Sequence, residues 1–171
     1  MIIDHEKRFV FISVPKTGGT SVHVSMGISQ HPPPAQFHAS ITKVLEENPV
    51  CFDYYKFGFV RNPWERMVSA YSNFTQEKAH YSWSRDLLNY KNFEDFCCRF
   101  PESKWANWIH FRPQVEFLFD GDTSLMDFIG KYENLHQDFK IVSERLGISA
   151  ILPRVRTSRH NHYKEYYNED T

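Results

Sequence analysis

Apolar residues in this chain fall into short runs, separated by turn signals and by stretches of helical spacing. Phe9, Val10, Phe11, Ile12 and Val14 make the first run, uncharged and rich in β-branched and aromatic residues. That is the pattern of a strand buried in a parallel sheet, and it stops at Pro15. Thr20 to Gly27 then reads as a helix. Pro32, Pro33 and Pro34 make helix or central strand impossible from His31 to Ala35, so an extended surface segment is expected there. Ser40 can cap a helix from Ile41 to Glu47. Tyr54 to Val60, YYKFGFV, is the second buried strand and ends in Arg61-Asn62-Pro63. Asn62 is a good N-cap, Pro63 suits the first helical position, and Glu65 stands third. The apolar face of the helix that follows carries Trp64, Met67, Val68, Tyr71 and Phe74.

Further on the pattern loosens. Lys78 to Tyr90 shows no clear period and reads as a long irregular loop. Asn92 can cap a helix over Phe93 to Phe100, with Pro101 as its stop, and a second helical piece is expected over Glu102 to His110. Residues 110–122 read as an extended segment turning at Asp120-Gly121-Asp122, and Ser124 to Tyr132 as a strand. Asn134 can cap a helix from Leu135 to Leu146 that stops at Gly147. Strands alternating with helices predict an α/β fold, a central mostly parallel sheet with helices on both faces. A ligand should then lie across the carboxyl ends of the strands. Without a repeat, low-complexity tract or linker, 171 residues are expected to form one domain, 1–171.

Composition narrows the function classes. A net charge of −1 leaves no global basic field, which argues against nucleic acid and acidic membranes as partners, so any anion site must be local. Aromatic residues reach 16%, enough to predict a ring-dense core and a stacking surface for a base or sugar. Asp4 to Arg8 is charged where a signal peptide would be apolar, and no run reaches membrane-spanning length. Cys51, Cys97 and Cys98 make an odd count without metal spacing and read as reduced and structural. Together these favour a cytoplasmic setting, with a Golgi-lumenal fragment as the alternative. The sequon Asn73-Phe74-Thr75 falls inside a predicted helix and reads as chance.

The chemistry concentrates at the two strand-to-helix junctions. Lys16, Thr17, Gly18, Gly19, Thr20 and Ser21 follow the first strand. Glycines let backbone N–H groups approach an oxyanion, hydroxyls add donors, and lysine adds a mobile cation. The order differs from the nucleotide P-loop, because the lysine precedes the glycines and the motif's first glycine is missing. A tight turn with an incidental lysine is the plainer reading of the loop alone. The second junction sets Arg61 at a strand end and Ser69 two turns into the helix. Near the C-terminus Arg154, Arg156, Arg159 and Lys164 cluster with His160 and His162, either as a solvated basic loop or as a flap over a polyanion.

PKTGGTS at 15–21 and FGFVRNPWERMVSAY at 57–71 resemble the paired 5′- and 3′-phosphate signatures of sulfotransferases that use 3′-phosphoadenosine 5′-phosphosulfate (PAPS). The similarity is greatest to the carbohydrate sulfotransferase branch, Golgi enzymes and their bacterial relatives. RPQVEFL at 112–118, IGKYENLHQDFKIVSERLGI at 129–148 and HYKEYYNED at 162–170 resemble later phrases of that branch, so the likeness covers nearly the whole chain in order. It implies transfer of a sulfuryl group from PAPS to an acceptor, with release of the bisphosphate PAP. It places Lys16 to Ser21 around the 5′-phosphosulfate, with Lys16 at the bridging oxygen, and Arg61 and Ser69 on the 3′-phosphate. It also offers His38 as the base; an imidazole with an ordinary pKa of about 6.5 suits proton abstraction near neutrality. His110 and His162 compete for that role, and Glu65 and Glu133 are weaker candidates.

Ser158 and Arg159 are expected to complete the 3′-phosphate pocket or to touch an anionic acceptor, and Arg112, Gln114 and His110 to face the acceptor. Trp64 could flank the adenine, with helix-face packing as its plainer use. The acceptor is expected to be a glycan or small molecule, reached without a metal, since sulfuryl carries less charge than phosphoryl. Two other readings stay open. A P-loop-type kinase would need magnesium and acidic ligands at a strand end. A noncatalytic homologue would keep the anion sites without turnover. Oligomeric state is not readable from the chain.

Overall fold

The computed structural model describes residues 1–28, 37–77, 82–149, 151–153, 155, 160–169 and 171. Its main sheet is built from β1 (Ile2–Asp4), β2 (Phe9–Ile12), β3 (Tyr55–Val60) and a later strand (Phe128–Lys131) in the order given. A two-stranded ladder, β4 (Phe119–Asp120) with β5 (Thr123–Ser124), precedes that last strand, which is therefore β6. β1 runs antiparallel to β2, whereas β2–β3 and β3–β6 are parallel, with Phe11 opposite Phe57 and Phe57 opposite Phe128. The mostly parallel α/β sheet that the apolar runs predict is thus the one that forms. Parallel pairing needs a long crossover. Between β2 and β3 it includes α1 (Gly19–Ser25) and α2 (Ile41–Glu47), the latter capped by Ser40, whose Oγ accepts from the Lys43 amide.

The backbone falls into two compact units, residues Met1–Arg61 with Pro113–Arg156, and residues Asn62–Arg112 with Thr157–Thr171. In the first, Phe9, Phe11, Phe57 and Phe59 project from one sheet face onto Val22 of α1, Phe139, Val142 and Leu152. Phe139 and Val142 belong to α6 (Leu135–Arg145), which follows α5 (Val115–Leu118) in the chain; α3 (Pro63–Ser72) and α4 (Phe93–Arg99) lie in the second unit. The Phe11 and Phe57 rings stack at 5.1 Å. Gly130 on β6 sits opposite Phe59, whose ring would lie 2.6 Å from any added Cβ. On the other sheet face Gly58 admits Leu118 of α5, which would come within 3.0 Å of a Cβ.

The second unit contains α3 (Pro63–Ser72) and α4 (Phe93–Arg99). Asn62 caps α3 as predicted, its Oδ1 accepting from the Trp64 and Glu65 amides at 3.0 and 3.2 Å. Val68, Ala70, Phe74, Leu87, Phe93, Phe96, Trp105 and Phe111 form a separate core, and here much of the aromatic content is used. Arg66 is buried and donates to the carbonyls of His110, Phe111 and Arg112, stitching that turn to α3. All three cysteines are free thiols, and burial pushes Cys97 up to about 12.

Some expected elements come out differently. Only Lys104–Asn107 is helical between 102 and 110, a single 3-10 turn, because Trp105 turns into the aromatic core and Trp108 leaves in an extended conformation. The segment 110–122 includes the short α5 rather than running extended, with Phe117 and Leu118 buried. Asn134 makes no side-chain cap on α6. The last turn before the helix is 3-10, and Asp138 reaches back to accept from the Lys131 amide at 2.6 Å. The tri-proline segment lies outside the described residues.

Candidate active site

The loop after β2 is shaped by two residues in the left-handed region, Lys16 at φ 68° and Gly18 at φ 83°. Glycine tolerates that conformation; a lysine there is uncommon and needs support from its surroundings. Support is present. The buried Thr17 hydroxyl donates to the Val14 carbonyl at 2.9 Å, folding the loop onto the strand end. Gly18 is the N-cap of α1 and supplies no side chain to its first turn. A Cβ on Gly18 would lie 2.6 Å from Leu135 Cδ2, and one on Gly19 would lie 2.2 Å from Ser13 Oγ. Both glycines therefore keep the backbone close against the sheet end and α6. Ser13 Oγ is buried beside Gly19 with no hydrogen-bond partner among the described residues. Thr20 is half-buried, and the buried Ser21 Oγ accepts from the Val155 amide at 3.4 Å.

Arg61 continues directly from the end of β3 and is only 7% exposed. Among the described residues, Lys16, Tyr132 and Gln114 orient it. Its Nη1 donates to the Lys16 carbonyl at 3.2 Å, and its guanidinium lies over the Tyr132 ring at 4.1 Å. Its backbone is held at both polar groups by one side chain. The Arg61 amide donates to Gln114 Oε1 at 2.9 Å, and Gln114 Nε2 donates to the Arg61 carbonyl at 2.7 Å. Gln114 thus imitates one residue of a neighbouring strand where the sheet ladder has ended. This geometry makes it a positioning residue for Arg61.

His38 reaches the same strand end. Its Nδ1 lies 2.6 Å from the Ser13 carbonyl. A carbonyl can only accept, so this nitrogen carries the proton and Nε2 is the basic nitrogen. The neighbouring Phe37 is edge-on to His38 at 4.6 Å and stacks on His23 at 4.5 Å. His23 is buried in α1, with Nδ1 donating to the Gly19 carbonyl at 2.7 Å; burial holds its imidazole below the ordinary value. His23, Phe37 and His38 therefore form one ring cluster tied to the loop at Ser13 and Gly19.

Within the first unit, then, the fold gathers Lys16 to Ser21, Arg61, Gln114 and His38. Ser69, His110 and Arg112 belong to the second unit. Ser69 is buried on α3. His110 packs between Phe74 at 4.7 Å and Trp108 at 4.6 Å, and the Arg112 carbonyl is a partner of Arg66. Trp64 is 54% exposed and meets Tyr167 edge-on at 5.1 Å. Ser158 and Arg159 lie outside the described residues. Tyr132, Ser13 and His23 are the site residues that sequence reasoning passes over. Each does its work through a partner distant in sequence, so no local pattern marks it.

No helix among the described residues is long and apolar enough to cross a membrane. Residues 1–171 match the model of the sulfotransferase family. An uncharacterised protein from Archaeoglobus fulgidus is 32% identical over 117 residues, 66% of this chain and 84% of its own length. Mouse carbohydrate sulfotransferase 11 is 25% identical over 195 residues, covering 89% of this chain, which spans 54% of the mouse protein. No solved structure gives a significant match. With a family match running the whole length of the chain, this protein belongs to the sulfotransferase family.

Proposed function

We propose that this protein transfers a sulfuryl group from PAPS to an acceptor hydroxyl, with a carbohydrate as the acceptor class. One observation carries the reading. The candidate base and the two candidate phosphate cations converge on a single loop: Arg61 Nη1 bonds the Lys16 carbonyl, and His38 Nδ1 bonds the Ser13 carbonyl. The family match and the name of the mouse relative support the reaction type and the acceptor class. A phosphosulfate is the ligand that the resemblance assigns to this loop, whose two glycines let its backbone pack against Leu135 and Ser13.

In this proposal PAPS supplies an already activated sulfuryl group, so the protein's task is positioning and charge stabilisation. Lys16 to Ser21 hold the 5′ end, and the Lys16 ammonium neutralises the charge that grows on the leaving phosphate oxygen. That interaction strengthens towards the transition state and so raises kcat. Arg61 is assigned to the 3′-phosphate, since a guanidinium fork suits a phosphate, and the resemblance assigns Ser69, Ser158 and Arg159 to the same group. His38 Nε2 takes the proton from the acceptor hydroxyl while the Ser13 carbonyl fixes the ring. His110 and Arg112 remain candidates for the acceptor side, and no metal is invoked.

The test is a labelled-PAPS assay against pooled carbohydrate acceptors, run beside calorimetric PAP binding. Wild type should transfer label. His38→Asn should lose about 10²–10⁴-fold in kcat with unchanged PAP affinity, the range for a general base. Lys16→Ala should lose about 10²–10³-fold in kcat, the range for one charge-stabilising group. Undiminished turnover by His38→Asn would remove the base assignment. Tight PAP binding with no transfer to any acceptor would replace the enzyme by a binding module.

A further inference from the structure

The parallel strands have a second end. There, residues before β2, at the start of β3, before β6 and at the end of α6 enclose a groove of about 500 Å³. It is formed entirely within the first unit, and strand direction puts it at the opposite edge of the sheet from the loop at 13–21. Six residue steps along β3 lead from Tyr55 to Arg61, so the two regions are roughly 20 Å apart along the strand.

The groove's polar groups divide into two sets. Lys56 and Asp127 satisfy each other. Asp127 Oδ2 accepts from the Lys56 amide at 2.7 Å and from its Nζ at 2.9 Å, and Nζ also donates to the Phe52 and Tyr54 carbonyls. This pair is a strut of the wall. Lys7, Arg8 and Arg145 are different: all are exposed, and none has a carboxylate in salt-bridge range among the described residues. Against them stands one further wall carboxylate, Asp53. The wall therefore carries an excess of two positive charges, although the whole chain is at −1.

The two arginines are held in similar ways. Arg8 lies over the Tyr54 ring at 5.3 Å and Arg145 over the Tyr55 ring at 5.8 Å. Arg8 keeps a left-handed backbone, φ 54°. A guanidinium whose face rests on a ring still presents its N–H edge to a planar oxyanion. Phe52 adds an apolar ring that is 60% exposed at the groove wall.

We propose that this groove is a binding site for an anionic saccharide. Sulfate or carboxylate groups are held by Arg8, Arg145 and Lys7. The apolar face of a sugar ring lies on Phe52, and Asp53 accepts from sugar hydroxyls. A bare inorganic anion would use the cations but not the ring. On the carbohydrate reading above, the groove holds a stretch of acceptor away from the reacting hydroxyl, but binding there does not depend on that reading.

The test is titration of the full chain, without nucleotide, with a dextran sulfate hexasaccharide, the neutral dextran hexasaccharide and sodium sulfate at constant ionic strength. The sulfated hexasaccharide should bind, and the neutral one should bind at least about tenfold more weakly, as expected for loss of charge-assisted hydrogen bonds. Arg8→Gly with Arg145→Gln should weaken binding by a similar factor while PAP affinity stays unchanged. Lys7→Gln, at an exposed position, should weaken it in the same direction if the double variant does not fold. Phe52→Ala should weaken the hexasaccharide and leave sulfate untouched. Absence of hexasaccharide binding, equal binding of the neutral sugar, or wild-type affinity in the arginine and lysine variants would overturn the proposal. Indifference to Phe52→Ala would overturn its saccharide assignment. Because no step uses PAPS, a failed transfer assay and a failed titration are separate results.

Discussion

Gly18 shows how much one position in the loop has to satisfy. Its φ of 83° costs an L side chain about 1–2 kcal/mol, and a Cβ would also meet Leu135 Cδ2 at 2.6 Å. Gly27, at φ 74°, has nothing within 4 Å of an added Cβ. Gly18→Ala should therefore lower the urea midpoint more than Gly27→Ala, and only the former should weaken PAP binding. Equal losses in unfolding titrations would mean that backbone conformation alone, without the contact to α6, sets the cost. Lys16 is the harder case to read from sequence. A lysine before two glycines announces an anion loop, but nothing local announces that its carbonyl is held by an arginine 45 residues away.

At the scale of elements, the two strand-to-helix junctions are built on different devices. The second depends on a cap. Asn62→Ala removes the acceptor of two α3 amides, and a cap of this kind contributes about 1 kcal/mol. The melting temperature should fall by roughly 2–4 °C for a chain of this size, measured by calorimetry. Arg61, one residue earlier, depends instead on Gln114. Gln114→Ala leaves both backbone groups of Arg61 without that partner, which should cost about 1–3 kcal/mol in stability. If Arg61 binds the 3′-phosphate, PAP affinity should drop as well, and Gln114→Glu should not restore it, because its second oxygen would meet the Arg61 carbonyl where a donor is needed. A variant with normal stability and normal PAP affinity would show that the clamp is incidental.

For the molecule as a whole, the buried His23 gives stability a pH dependence. Burial keeps its folded pKa below the unfolded value of 6.5, outweighing the opposing bond to the Gly19 carbonyl. The unfolded chain therefore takes up a proton that the folded one refuses. Above the unfolded pKa both states are neutral and the term vanishes. As pH falls through 6.5 towards the folded pKa, stability is lost. Urea midpoints should decline from pH 7 to pH 5, and His23→Asn should flatten part of that decline. An unchanged slope in the variant would assign the effect to other groups.

The sequence alone determined the buried strands β2 and β3, the Ser40, Asn62 and Asn92 caps and the order of the two strand-to-helix junctions. These are local matters: an uninterrupted β-branched run, an Asn-Pro helix start and a lysine-glycine turn act through their immediate neighbours. The extended reading of 110–122 failed because burial of Phe117 and Leu118, not local propensity, decided that segment. Only the tertiary structure decided that Gln114 clamps the Arg61 backbone, that Tyr132 supports its guanidinium, and that His38 hangs from the Ser13 carbonyl. Each of those contacts joins residues far apart in the chain. Parallel pairing of β2, β3 and β6 creates them by bringing distant strand ends to one edge of the sheet, and no periodicity along the chain encodes that meeting.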